Sequence, residues 1–99
     1  MTGRKGSDLA NAVKKGDLAE VKRLVELGAD VHIRDDGNHT LLHLAAYWGR
    51  LKVARYLIEQ GVNLNARDDD GQFADDYAWL NHHYRTFGVL IQNNPDANR

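Results

Sequence analysis

Apolar residues recur along this chain in quartets with i, i+3, i+6, i+7 spacing. They are Leu18, Val21, Leu24 and Val25; then Leu51, Ala54, Leu57 and Ile58; then Tyr84, Phe87, Leu90 and Ile91. That spacing puts each quartet on one face of an α-helix. The quartets stand 33 residues apart, and the punctuation between them keeps the same step: Gly16 recurs as Gly49, Gly28 as Gly61, Asp35 as Asp68, and Asn38 as Gly71. Such a period predicts stacked supersecondary units, each too small to bury its apolar face alone.

The first unit is predicted to open at Ser7, a good N-cap for a helix carrying Leu9, Ala12 and Val13 inward. Gly16-Asp17 breaks that helix, and a second runs to Leu27 and is closed by Gly28. The middle unit begins with the turn formers Arg34 to His39, after which Thr40 caps a helix with Leu42, Ala45 and Ala46 inward. Asn38, standing where the next unit has Gly71, predicts a left-handed backbone. In the third unit Phe73 replaces Thr40, Asp75 replaces Leu42 and Asp76 replaces His43. Acids at a helix start favour its dipole and can cap it, and they suit a terminal unit with a polar outer face. His82 replaces Gly49, which predicts an altered turn between the last two helices. The expected division is a single domain, 1–99, with units at about 7–34, 35–67 and 68–93. Residues 1–6 and 94–99 read as flexible ends, the tail from Asn93 to Arg99 as disordered.

Composition narrows the function without naming it. With 42% hydrophobic and 27% charged residues, the 99-residue chain reads as one small folded domain. Thirteen basic and 14 acidic residues give a net charge of −1, so no global field selects nucleic acid or an anionic membrane. Residues 67–99 hold six acids against three arginines, which disfavours nucleic acid further. There is no cysteine for disulfides, thiolate zinc or thiol catalysis. No apolar run reads as a signal peptide or a membrane span. The expectation is a soluble, cytoplasmic protein.

The stretch TLLHLAAYWGRLKVARYLIEQGVNLNARD, residues 40–68, resembles an ankyrin repeat, and GDLAEVKRLVELGADV resembles the second half of another. The family's TPLHLAA signature is present with Leu41 in place of proline. The chain is thus similar to one full repeat, Asp35 to Ala66, between N- and C-terminal capping repeats. The resemblance implies an all-α ankyrin-repeat solenoid of three stacked helix-turn-helix units with projecting β-turn fingers. It also implies binding of a protein partner through finger tips and concave face, without catalysis. His43 matches the histidine of the signature, which in the family hydrogen-bonds backbone between repeats.

Tyr47 and Trp48 precede Gly49 on the solvent side of their helix, whose core is already supplied. Large aromatics left over in this way are candidate anchors, since Trp and Tyr dominate interface hot spots. Their equivalents in the other units are Lys14-Lys15 and Leu80-Asn81. The finger positions His39 and Gln72, with Arg34, Asp36, Arg67, Asp69 and Asp70 beside them, are second-rank contacts.

Other chemistry finds no footing. His82 and His83 are adjacent, so on a helix they would diverge by about 100°, and no H-E-x-x-H pairing exists to hold a metal. Asp68-Asp69-Asp70-Gly71 fails as a calcium loop, because Ala66 and Tyr77 would fall at its first and twelfth positions. No Ser-His-Asp set or phosphate cradle is present, so no catalytic residues, metal or cofactor are expected. The sequence therefore reads as a non-enzymatic binding module, an adaptor or inhibitor, and a monomer in preference to a homodimer. Self-association through the same aromatics is the alternative.

Overall fold

The computed structural model describes residues 2–97, with side chains from Gly6 onward. Among them are six helices, α1 (Thr2–Lys15), α2 (Leu18–Glu26), α3 (Leu41–Tyr47), α4 (Leu51–Glu59), α5 (Ala74–Leu80) and α6 (Tyr84–Gln92). They form three antiparallel pairs stacked side by side. The inner row α1, α3, α5 packs in sequence, and the outer row α2, α4, α6 does the same. The stack measures 39 × 26 × 22 Å.

Burial follows the predicted faces. Leu9 and Val13, then Leu42, Ala45 and Ala46, then Val21, Ala54 and Leu57 are all at most 1% exposed. Alanines at 45 and 46 let the inner helices approach closely. The quartet rule weakens at its first position, where Leu18 and Leu51 are half-buried and Tyr84 is exposed.

The turn inside each pair is built alike three times. Gly16, Gly49 and His82 take φ of 73°, 69° and 63°. The following amides close onto the inner helix: Asp17 to Ala12 at 3.0 Å, Arg50 to Ala45 at 2.8 Å and His83 to Ala78 at 2.8 Å. The third turn is therefore not altered, contrary to expectation. The reason lies in what surrounds it. A Cβ at Gly16 would stand 2.8 Å from Arg50 Cδ, and one at Gly49 would stand 2.5 Å from His83 Nδ1. Those side chains are caps from the next unit: Arg50 Nε donates to Lys14 O at 2.7 Å, and His83 Nε2 to Tyr47 O at 3.0 Å. His82 adopts the same left-handed backbone with its side chain in place, and its strain is borne in the fold.

The fingers are tight turns between units. Asp35 N–H bonds His39 O, and Asp68 N–H bonds Gln72 O, both at 3.1 Å. Asn38 and Gly71 occupy the left-handed region at φ 65° and 75°, as their exchange predicted. The fingers are also tied to each other. Asp69 N–H donates to Gly37 O at 3.0 Å, Asn38 Nδ2 to Asp69 Oδ1 at 3.2 Å, and Arg34 Nη1 to Arg67 O at 3.1 Å.

Helix starts use two versions of one device. Thr40 Oγ1 accepts His43 N–H at 3.3 Å, and His43 Nδ1 accepts Thr40 N–H at 3.0 Å. Phe73 has no side-chain oxygen, so α5 keeps only the return half, Asp76 Oδ2 accepting Phe73 N–H at 2.8 Å.

Three expectations need correction. Ser7 is not a cap, because α1 starts at Thr2 and runs through it. The tail is docked as far as Ala97. Asn94, standing where Gly28 and Gly61 stand earlier, is 6% exposed and exchanges amide bonds with Asn65 at 2.9 and 3.3 Å. Met1, Asn98 and Arg99 lie outside the described residues. The outer face of the last unit is not simply polar: beside Asp75 and Asp76 it presents Trp79, Leu80 and Tyr84, all more than half exposed.

Candidate partner-binding face

The angle between the inner helices and the fingers encloses a cavity of about 290 Å³. Tyr47, in the last turn of α3, and Trp48, its C-cap, form one wall, with α5 supplying Tyr77, the first finger Asp35 and His39, and α1 Lys14. Tyr47 and Trp48 remain 45% and 46% exposed. Their rings meet edge to face at 5.3 Å between centroids, and Tyr47 leans on Tyr77 in the same way at 6.1 Å. Tyr47 is thus held between Trp48 and Tyr77, and Tyr47 and Trp48 each keep nearly half of their surface toward solvent, the arrangement expected of an anchor.

Beneath the rings lies a polar network that sets the shape of the cavity. The Tyr77 hydroxyl donates to Asp68 Oδ2, whose partner oxygen accepts the N–H groups of Asp70 and Gln72, both at 2.9 Å. His39 bridges two units, with Nδ1 2.9 Å from Asp35 Oδ1 and Nε2 3.3 Å from Asp68 Oδ2. His43 Nδ1 accepts the Thr40 N–H, so Nε2 carries the proton and donates to Gln72 O at 2.9 Å. This is the inter-repeat backbone bond that the signature histidine was expected to make.

The network biases protonation. Burial tends to raise the Asp68 carboxyl, but the Tyr77 hydroxyl and the Gln72 and Asp70 amides outweigh it and hold the group below its ordinary value. Burial likewise opposes ionisation of Asp35, and bonds from His39 and Gly37 reverse the balance. Burial pushes the His43 imidazole down, against the pull of the Gln72 carbonyl and the Asp68 charge, and so favours its neutral form. Tyr77, donating to a carboxylate, is pushed up to about 12.

The structure sorts the predicted contacts into different places. Lys14 joins Tyr47, Trp48 and His39 around the cavity. Lys15 is exposed on the same helix, and Asp36, Asp69 and Asp70 are exposed on the fingers. Arg34 is held by the Arg67 carbonyl, and the Arg67 guanidinium lies 4.9 Å from the Phe73 ring centroid. Asn81 uses its amide to cap the Tyr77 carbonyl at 2.9 Å. Leu80 and Gln72 fall in a different groove, at the end of the stack. Asp35, Asp68 and Tyr77 were not among the sequence candidates. Both aspartates had been read as repeat punctuation, and Tyr77 stands in register with Leu44, 33 residues earlier, where a core-flanking residue is expected. An aromatic at that register was the available signal.

Among the described residues no group of three or more His, Cys, Asp or Glu side chains could hold a metal ion. No described helix is long and apolar enough to cross a membrane.

A one-dimensional stack of helix pairs with an open, aromatic-lined inner face defines a helical-repeat scaffold for protein binding. The chain belongs to the ankyrin-repeat family: the family model described as ankyrin repeats (3 copies) matches residues 9–99. Protein phosphatase 1 regulatory subunit 27 of Homo sapiens is 46% identical over 68 residues, covering 69% of this chain and 44% of the relative. A transient receptor potential cation channel subfamily A member 1 homolog of Caenorhabditis elegans is 40% identical over 72 residues, 73% of this chain and 6% of its own. In a solved complex of the Bd0816 predatory endopeptidase from Bdellovibrio bacteriovorus with the immunity protein Bd3460, one chain matches with TM-score 0.83 at 33% identity. The match covers 88% of this chain and 46% of that one. The chain thus spans less than half the length of these relatives.

Proposed function

We propose that this chain is a protein-protein interaction module, an intracellular adaptor or inhibitor that holds its partner against the concave face. The observation that carries the reading is the pair Tyr47 and Trp48, each nearly half exposed over a cavity braced from below by hydrogen bonds. A surface already in place loses little freedom on association. The exposed finger residues Asp36, Asp69 and Asp70, with Lys14 and Lys15, form a polar rim to that centre. Membership of a repeat family that mediates protein interactions supports the reading, as do relatives named as a phosphatase regulatory subunit and as an endopeptidase–immunity protein complex. No step in it calls for catalysis or a cofactor, and the cytoplasm is the compartment it suits. The test is affinity capture from native lysate with the wild-type chain and with Tyr47→Ala/Trp48→Ala. Captured proteins should be lost from the double variant while far-UV circular dichroism and the melting midpoint stay unchanged. Unfolding of the variant would show that the rings are core, and undiminished capture would move binding elsewhere.

A further inference from the structure

The cavity on the concave face has a charge direction as well as an aromatic wall. Helices α3 and α5 start at the fingers and end at the turns within their pairs, so fingers and turns bound the face on opposite sides. The fingers, residues 34–40 and 67–73, hold five aspartates against Arg34 and Arg67. Four of them, Asp35, Asp36, Asp69 and Asp70, are exposed. Both arginines are engaged locally, Arg34 on the Arg67 carbonyl and Arg67 against the Phe73 ring. The turn edge has the opposite sign, with Lys14, Lys15 and Arg50 against Asp17. The cavity of about 290 Å³ reaches from one edge to the other. Asp35 stands at its finger end and Lys14 at its turn end, with the rings of Tyr47, Trp48 and Tyr77 as walls.

Asp35 decides what can fill this space. Its side chain is 50% exposed. Oδ1 accepts the N–H groups of Gly37 and His39 at 3.0 and 2.8 Å, and Oδ2 meets His39 Nδ1 at 3.1 Å. Burial opposes ionisation, but these bonds outweigh it and keep the carboxyl below its ordinary value. Oδ2 retains a lone pair for a further donor. An apolar side chain seated on the rings would cover this carboxylate and strip its water without giving a bond, which is costly for an ion. An anionic one would meet the field of the fingers. A lysine or arginine side chain satisfies both ends of the cavity. Its methylene stem lies along the rings, and its head gains from the aromatic faces and bonds the carboxylate. That places the head toward the fingers and away from Lys14.

Granted that the concave face is the binding face, we propose that the partner docks there by a basic segment. It seats one lysine or arginine side chain between Tyr47, Trp48 and Tyr77 with its head on Asp35, and the residues beside it run along the acidic fingers. The complementarity steers encounter and fixes register, so association is sensitive to salt.

A random dodecapeptide library displayed on phage and selected on the full chain supplies probes without a known partner. Peptides retained by the native chain and lost on Tyr47→Ala/Trp48→Ala should carry a net positive charge and an essential lysine or arginine. In a synthetic copy of such a peptide, replacing that residue by glutamine should raise the dissociation constant at least about tenfold. Asp35→Asn keeps the oxygen that the finger amides use and should raise it about as much. Asp36→Asn and Asp70→Asn should each raise it about two- to threefold, and Lys14→Ala should not raise it. Concave-face peptides that are acidic or uncharged overturn the proposal while leaving the face as the binding site. Peptides indifferent to Tyr47 and Trp48, or no peptides at all, overturn the proposal together with the reading it stands on. Weaker binding in Lys14→Ala, or an unchanged constant in Asp35→Asn with circular dichroism intact, overturns the orientation. Where Asp35→Asn loosens the finger, the glutamine substitution in the peptide decides alone.

Discussion

Gly49→Ala isolates the way one repeat fastens to the next. Gly49 sits at φ +69°, and an added Cβ would stand 2.5 Å from His83 Nδ1 and 2.8 Å from its Cε1. The left-handed backbone alone costs an L-residue about 1–2 kcal/mol. The imidazole must also swing away, which breaks its 3.0 Å bond to the Tyr47 carbonyl and adds about 1 kcal/mol. Gly61→Ala supplies the control. Gly61 has a similar φ of +81° but no atom within 4 Å of the added carbon, so only the backbone penalty applies. Gly49→Ala should therefore destabilise the chain by about 2–3 kcal/mol and Gly61→Ala by about 1 kcal/mol less. Against the total stability of a small domain that difference is large.

Urea unfolding followed by far-UV circular dichroism measures both variants, and a third makes the cause separable. In a His83→Ala background the clash and the bond are already gone, so Gly49→Ala should cost no more than Gly61→Ala does. A double-mutant cycle then returns a coupling of about 1 kcal/mol between residues 49 and 83. Equal penalties for Gly49→Ala and Gly61→Ala in the native background would refute the argument, as would a coupling near zero.

Further consequences follow from the buried network and the docked tail. Tyr77 has its phenol pushed from 10.0 up to about 12, so its contribution is fully present below pH 10 and is lost as pH rises toward the folded value. Stability should fall by about 2 kcal/mol over that interval, and Tyr77→Phe, which removes the hydroxyl, should abolish the decline. On the acid side His43, Asp35 and Asp68 all have depressed folded values. Their contributions hold above the ordinary values and are lost as pH falls, for His43 below about 6.5 and for the aspartates below about 3.8. Unfolding midpoints at pH 7, 5 and 3 should drop in that order, and a flat profile would contradict the assignment. Asn94→Ala strips Asn65 of its amide partner and should cost about 1 kcal/mol. The Asn65→Ala/Asn94→Ala pair should cost less than the sum of its members, and full additivity would show that the amides do not interact.

The fold was legible because the repeat writes the same local rule three times. The apolar quartets, the left-handed Asn38 and the acidic cap Asp76 each depend on neighbours within a few residues, and apart from the exposed Tyr84 they appear where expected. Devices that act across units were not legible. Nothing local in Arg50 or His83 announces a side chain reaching 36 positions back to cap a carbonyl. The pairing of Asn94 with Asn65 is equally hidden in a run that reads as a tail. The outer face was misjudged for a related reason. Asp75 and Asp76 were visible as polar substitutions, but Trp79 occupies the register of the buried Ala46, and its exposure has no local signal. Of the concave face, the sequence revealed the two rings that point outward and missed Tyr77, Asp35 and Asp68, which brace the cavity beneath them.

That omission changes how the concave face should respond to substitution. Tyr47 and Trp48 touch solvent, so removing them takes away contact area and leaves the stack standing. His39 and Tyr77 work from beneath, one linking Asp35 to Asp68 across two fingers and the other fastening α5 to the second finger. Loss of the Tyr77 hydroxyl keeps the ring and its contact with Tyr47 but releases the Asp68 turn, so the cavity would lose rigidity before it lost any surface. Such a change acts through the ordering required on binding, about 0.5–1.5 kcal/mol for each side chain newly free to move. It would weaken association while leaving the map of contacting residues the same. The shape of this face is thus held by the polar network shared between repeats, and its exposed rings are two aromatics that the repeat pattern does not require.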